Sequence, residues 1–140
     1  MKMLKDHLQE IRKVTVLSKK RDEIPSMLNK DGKELKGHFS LSEVAEINPA
    51  YDKLDNNLYN YLVSLDYDTL VAVQVIMLLG RGDCSCAKEN SKLIGEELFE
   101  EAKKELDDTI SRDKQNIIEY VAGKGRLGEW LENGLLILNM

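Results

Sequence analysis

The segment that most limits what this chain can fold into is Leu70–Leu79, LVAVQVIMLL, interrupted only by Gln74 and followed by Gly80-Arg81-Gly82-Asp83. Crossing a bilayer takes about twenty apolar residues, so a run of ten belongs to a core and no membrane association is expected. Its Val and Ile content would suit a buried strand, and periodicity does not arbitrate over so short a run. A single strand with no partner forms no sheet, which favours a helix. Apolar on nearly every side, such a helix belongs at the centre of a bundle. Asp66 or Asp68 is placed to cap a helix over Thr69–Leu79, and the glycines at 80 and 82 end it.

The flanking segments supply partners for that core. Leu4, Leu8, Ile11, Val14 and Leu17 recur at three- and four-residue steps and predict a helix over about 3–20. Pro25 and Asn29–Lys33 break the pattern, which makes 22–40 the stretch expected to be least ordered. Ser40 and Glu43 have capping-box spacing ahead of Leu41, Val44 and Ile47, predicting a short helix there. Asn48-Pro49 then pairs a favoured N-cap with a favoured first helical residue. Behind it, Tyr51, Leu54, Leu58, Tyr61, Leu62 and Leu65 keep helical spacing. Lys92–Asp108 is expected to turn Leu93, Ile94, Leu98, Ala102 and Leu106 inward. Helices over 112–122 and 126–138 are separated by Gly123-Lys124-Gly125. The expected fold is all-α: one domain over 1–140, a compact orthogonal bundle of six or seven helices around a central apolar helix at about 69–79.

Composition agrees. A chain of 140 residues with 42% hydrophobic side chains removes roughly two-thirds of its unfolded surface from water and folds without disulfide staples. Residues 1–36 carry a net charge of +4 and the remainder −9. A basic arm on an acidic body raises nucleic-acid binding, but a pI near 5.1 and little aromatic interleaving argue against it. The opening residues lack the unbroken apolar stretch of a signal peptide, so a cytoplasmic location with reduced thiols is expected.

The motifs that suggest chemistry are weak. Gly123-Lys124-Gly125-Arg126-Leu127-Gly128 matches the dinucleotide-binding string, but that fingerprint needs a second strand and an acid about twenty residues on. Only twelve residues follow Gly128. A looser reading survives, in which Lys124 and Arg126 hold an anion beside free N–H groups. The alternative is a helix–helix turn whose glycines permit positive φ. Cys84-Ser85-Cys86, with His7 and His38 far away in sequence, lacks zinc-site spacing. The acids from Glu96 to Asp108 have no histidine among them and carry lysines at three- and four-residue steps, the pattern of a solvated face. No catalytic residue, cofactor or metal ligand is therefore assigned.

Gly80-Arg81-Gly82-Asp83 is the most distinctive sequence. One reading is a structural clasp: Arg81, partly buried, reaches helix C-terminal carbonyls or Glu129 or Glu132, while Asp83 accepts N–H groups at the start of the next turn. The other is an exposed Arg81 lining a pocket for an anionic molecule with Lys124 or Arg126.

Two segments together resemble a family of small bacterial proteins catalogued as a domain of unknown function. They are the leucine-rich pair Asn57–Asp83 running into Gly-Arg-Gly-Asp, and Ile118–Leu136, IEYVAGKGRLGEWLENGLL. The likeness covers roughly residues 54–140. It implies an all-α cytoplasmic bacterial protein and carries no activity. Function is expected to be a non-catalytic interaction or regulatory domain, self-associating or binding a protein partner through Leu135-Leu136-Ile137-Leu138. The alternative is a small enzyme or ligand-binding protein using Arg81, Asp83, Lys124 and Arg126.

Overall fold

The computed structural model describes residues 3–25, 27–29, 34–35, 44–89 and 92–140. A 3-10 turn, Leu4–His7, leads into α1 (Leu8–Asp22). The bundle is completed by α2 (Pro49–Ser64), α3 (Tyr67–Arg81), α4 (Ser85–Glu89), α5 (Gly95–Glu105), α6 (Lys114–Ala122) and α7 (Leu127–Leu138). The chain is an all-α bundle, with α3 packed against α1, α5, α6 and α7. Every side chain from Thr69 to Leu79 is 6% exposed or less, which makes α3 the central element.

Local chemistry sets the helix ends. Asn48 accepts the Ala50 N–H at 3.0 Å with Pro49 at the first helical position. Of the two candidate caps for α3, Asp66 serves, accepting the Thr69 N–H at 2.8 Å. At its other end Gly82 takes the left-handed conformation, φ 95°, and its N–H and that of Asp83 satisfy the Leu79 and Leu78 carbonyls.

The short helix expected over 40–47 is not found where it is described. Val44–Ile47 is a strand, β3, paired antiparallel with β1 (Met27–Asn29), which also pairs with β2 (Glu34–Leu35). A helix of barely two turns forms few internal hydrogen bonds, whereas β1 offers this backbone a ready ladder. Residues 40–43 lie outside the described residues, as do 26, 30–33 and 36–39 of the stretch expected to be least ordered. Sequence reasoning also left Ser85–Glu89 unassigned, and it began α5 too early. Ile94 precedes that helix and is 55% exposed rather than turned inward.

Glycines fix the closest crossing. Gly80, expected to end α3, lies within its last turn. A Cβ there would collide with the Trp130 carbonyl, and one on Gly134 would collide with the Ile76 carbonyl. Bare backbone lets α3 and α7 approach at both points. Gly128 plays the same part between α7 and Lys19 of α1.

Candidate functional site

Arg81 ends α3 with its side chain 31% exposed. Its Nε donates to Asp83 at 2.5 Å, and Nη2 reaches the Tyr120 hydroxyl at 3.4 Å. The guanidinium also lies 5.3 Å from the Trp130 ring centre. The hydrogen bond that Arg81 donates to Asp83, and secondarily the one to Tyr120, raises the Arg81 pKa above its ordinary value. The carboxylates expected for it are engaged elsewhere: Glu129 takes Arg126 in a two-bond fork at 2.7 and 2.8 Å, and Glu132 takes Lys19 at 2.6 Å. Nor does Asp83 supply the next helix. Glu105, at the end of α5, accepts the Ser85 N–H and hydroxyl at 2.8 and 2.6 Å and the Cys86 N–H at 3.1 Å. A longer side chain crosses from α5 where Asp83, drawn to Arg81, does not reach back.

The fold does gather the three cations singled out from the sequence. Lys124 Nζ stands 4.3 Å from the Tyr120 ring centre, and Arg126 lies 5.7 Å from that of Trp130. Tyr120 and Trp130 thus link Arg81, Lys124 and Arg126 in one cation–aromatic cluster. Lys124 alone of the three pairs with no carboxylate among the described residues.

The glycine string does not offer free N–H groups to an outside anion at Gly128. That N–H, in the first turn of α7, is held by the Asp22 carboxylate at 3.0 Å. Nor do its first two glycines use positive φ, which among described glycines occurs only at Gly82 and Gly95. The adjoining groove, about 350 Å³, is lined by Lys19 and Arg126 against Asp22, Glu23, Glu129 and Glu132. Acids outnumber bases there, and both bases are paired.

The residue that sequence reasoning missed is Arg21. Its side chain is fully buried at the end of α1. Nε donates to Asp22 Oδ1 at 2.9 Å, Nη1 to Asp55 at 3.0 Å and the Ala122 carbonyl at 2.6 Å, and Nη2 to the Lys124 carbonyl at 2.5 Å. Burial works against its charge, but Asp22, Tyr51 and Asp55 outweigh that and its pKa rises. Asp22 is raised above the usual carboxylate value, because burial outweighs the Gly128 N–H and Arg21. Arg21 therefore caps the carbonyl end of α6 while Asp22 caps the amide end of α7, and α2 is tied in through Asp55. The chemistry expected of Arg81 is performed here. A signal for it existed: Ile11, Val14, Ser18 and Arg21 fall on one helical stripe, and all four are buried.

Both cysteines are free thiols, Cys84 buried and Cys86 half-buried. Burial, with Glu105 adding to it, pushes the Cys86 thiol up and away from the reactive thiolate. Along α5, Glu97, Glu100 and Glu101 are exposed, with Glu101–Lys104 a loose pair at 3.6 Å, while Glu96 accepts the Lys5 N–H at 2.9 Å. No group of three metal-binding side chains occurs among the described residues, and none of their helices is long and apolar enough to cross a membrane. Comparison with family models, with curated proteins and with solved structures finds no match to this chain.

Proposed function

We propose that the chain is a non-catalytic interaction domain of a cytoplasmic bacterial protein, and that it associates with a second copy of itself through the last turn of α7. One observation carries this reading. In Leu135-Leu136-Ile137-Leu138 the first and last side chains enter the core, while Leu136 is 71% and Ile137 39% exposed. Burying an exposed leucine against another chain contributes about 1.5–3 kcal/mol, a strong incentive for adjacent side chains to be covered together. The cytoplasmic part is supported by the two free thiols, and the bacterial part by the resemblance to the domain family. Sedimentation velocity across a concentration series tests the association. The parent should dimerise and a Leu136→Glu/Ile137→Glu double variant should stay monomeric; a parent that remains monomeric at high concentration overturns the reading.

A second reading is favoured by the cation–aromatic cluster: a small anionic molecule held by Lys124, with Arg81 and Arg126 beside it. A thermal-shift series with phosphorylated metabolites tests it, since a ligand at a hundred times its Kd stabilises by about 2.7 kcal/mol.

A further inference from the structure

Gln74 is the only polar side chain in the apolar run of α3, and it is 3% exposed. No described residue forms a hydrogen bond with its amide. The amide is not sealed in the core but opens onto a cavity, so whatever occupies that cavity, water or a guest, supplies its hydrogen-bond partners. Gln74 lines this cavity, of about 280 Å³, with Thr109, Ser111, Asn116, Ile117 and Tyr120. Gln74 and Ile117 are buried and form its floor, whereas Thr109 and Asn116 are exposed and form its mouth.

We infer that this cavity between α3 and α6 binds a small uncharged molecule through an amide-like edge, such as a lactam or pyrimidine ring. The absence of charge follows from the walls. The lining side chains are amides, hydroxyls, an isoleucine and a tyrosine, so a buried ion would find no counter-charge. The edge follows from Gln74, whose planar amide sets a donor beside an acceptor and pairs best with a group offering the same two in reverse. The other walls retain capacity. Ser111 Oγ accepts from the Asp113 N–H at 3.0 Å and from Asn116 Nδ2 at 3.2 Å, which leaves the serine proton and the Asn116 carbonyl oxygen to face a guest. The Tyr120 hydroxyl accepts from Arg81, leaving its own proton to donate. The volume lies just below the roughly 300–1,000 Å³ of ordinary small-molecule sites, which limits the guest to about one ring. This site is separate from the last turn of α7 and stands independently of self-association.

The test titrates the full chain with uracil, and separately with myo-inositol as a polar molecule lacking an amide edge, following amide proton–nitrogen spectra. Uracil should move the Gln74 side-chain signal and those of Ser111 and Asn116, and inositol should not. Gln74→Met keeps the shape without the amide. It should weaken uracil binding by about tenfold or more and melt at or above the parent temperature, because an open amide has been replaced by apolar atoms. Asn116→Ala, at the exposed mouth, should weaken binding by about threefold. Four results would each overturn the inference: no spectral change at saturating uracil, equal response to inositol, unchanged affinity in both variants, or a Gln74→Met protein that melts below the parent. The last would identify a hydrated cavity whose water belongs to the fold.

Discussion

Arg21 and Arg81 both stand in the last turn of a helix, and both touch a carboxylate close in sequence and an aromatic ring. Their surroundings separate them. Arg21 is fully buried, and its fork is spent on two carboxylates and two main-chain carbonyls from three parts of the chain. Arg81 is partly exposed, and its closest partner is two residues away. The same functional group is thus fully buried and fully paired in one corner and partly exposed, against Tyr120 and Trp130, in the other. What decides is the number of desolvated groups that depend on it, not the distinctiveness of the surrounding motif.

The largest effect expected from this contrast is at Arg21. Replacing it with Ala strands Asp22 in a buried setting and leaves the Ala122 and Lys124 carbonyls unpaired, a loss of about 3–5 kcal/mol by urea denaturation. Arg21→Lys should recover only part of it, because an ammonium lacks the planar fork. If Arg21→Ala unfolds like the parent, the contrast collapses.

Within Gly-Arg-Gly-Asp itself the sensitive residue should be Gly80. Gly80→Ala places a methyl group inside the α7 backbone and should cost about 1–3 kcal/mol or more, whereas Gly125→Ala meets open space and should stay within about 0.5 kcal/mol. Arg81→Ala, by comparison, should cost less than about 1 kcal/mol, the ordinary worth of an exposed ion pair. A larger loss would make Arg81 a clasp after all.

The smallest and subtlest test uses pH. Asp22 is raised from 3.8 by burial, so the folded state holds its proton more tightly than the unfolded state. That contribution is complete below 3.8 and is lost as pH rises through the folded value. Glu129 is lowered from 4.5 by the Arg126 fork, so its contribution is present above 4.5 and is lost as pH falls through the folded value. Stability of the parent relative to Asp22→Asn should therefore fall with rising pH across the acid range. Relative to Glu129→Gln it should rise. Parallel curves would erase the distinction between a carboxylate governed by burial and one governed by its ion pair.

Periodicity made the bundle legible, since a stripe repeating every 3.6 residues needs no knowledge of its neighbours. Asn48-Pro49 was equally readable because an N-cap acts within three residues. Arg21 was not, because Lys19-Lys20-Arg21-Asp22-Glu23 has the composition of a solvated run and only the position of α6 and α2 buries one member of it. Gly80 and Gly134 were obscured for a related reason: a glycine that admits another backbone is indistinguishable in sequence from one that ends a helix. The candidate cations of the site were individually visible. Their convergence on Tyr120 and Trp130 depends on how α3, α6 and α7 cross, which no local pattern records.

The hydrogen bonds from Arg21 to Ala122 and Lys124 span 101 and 103 residues. Closing so long a loop is entropically costly until the intervening helices have docked, so these bonds belong to the descent from the transition state rather than the climb to it. Arg21 then governs how long the folded molecule lasts rather than how quickly it forms. Its loss should appear almost wholly as faster unfolding, with the refolding arm of the chevron left in place.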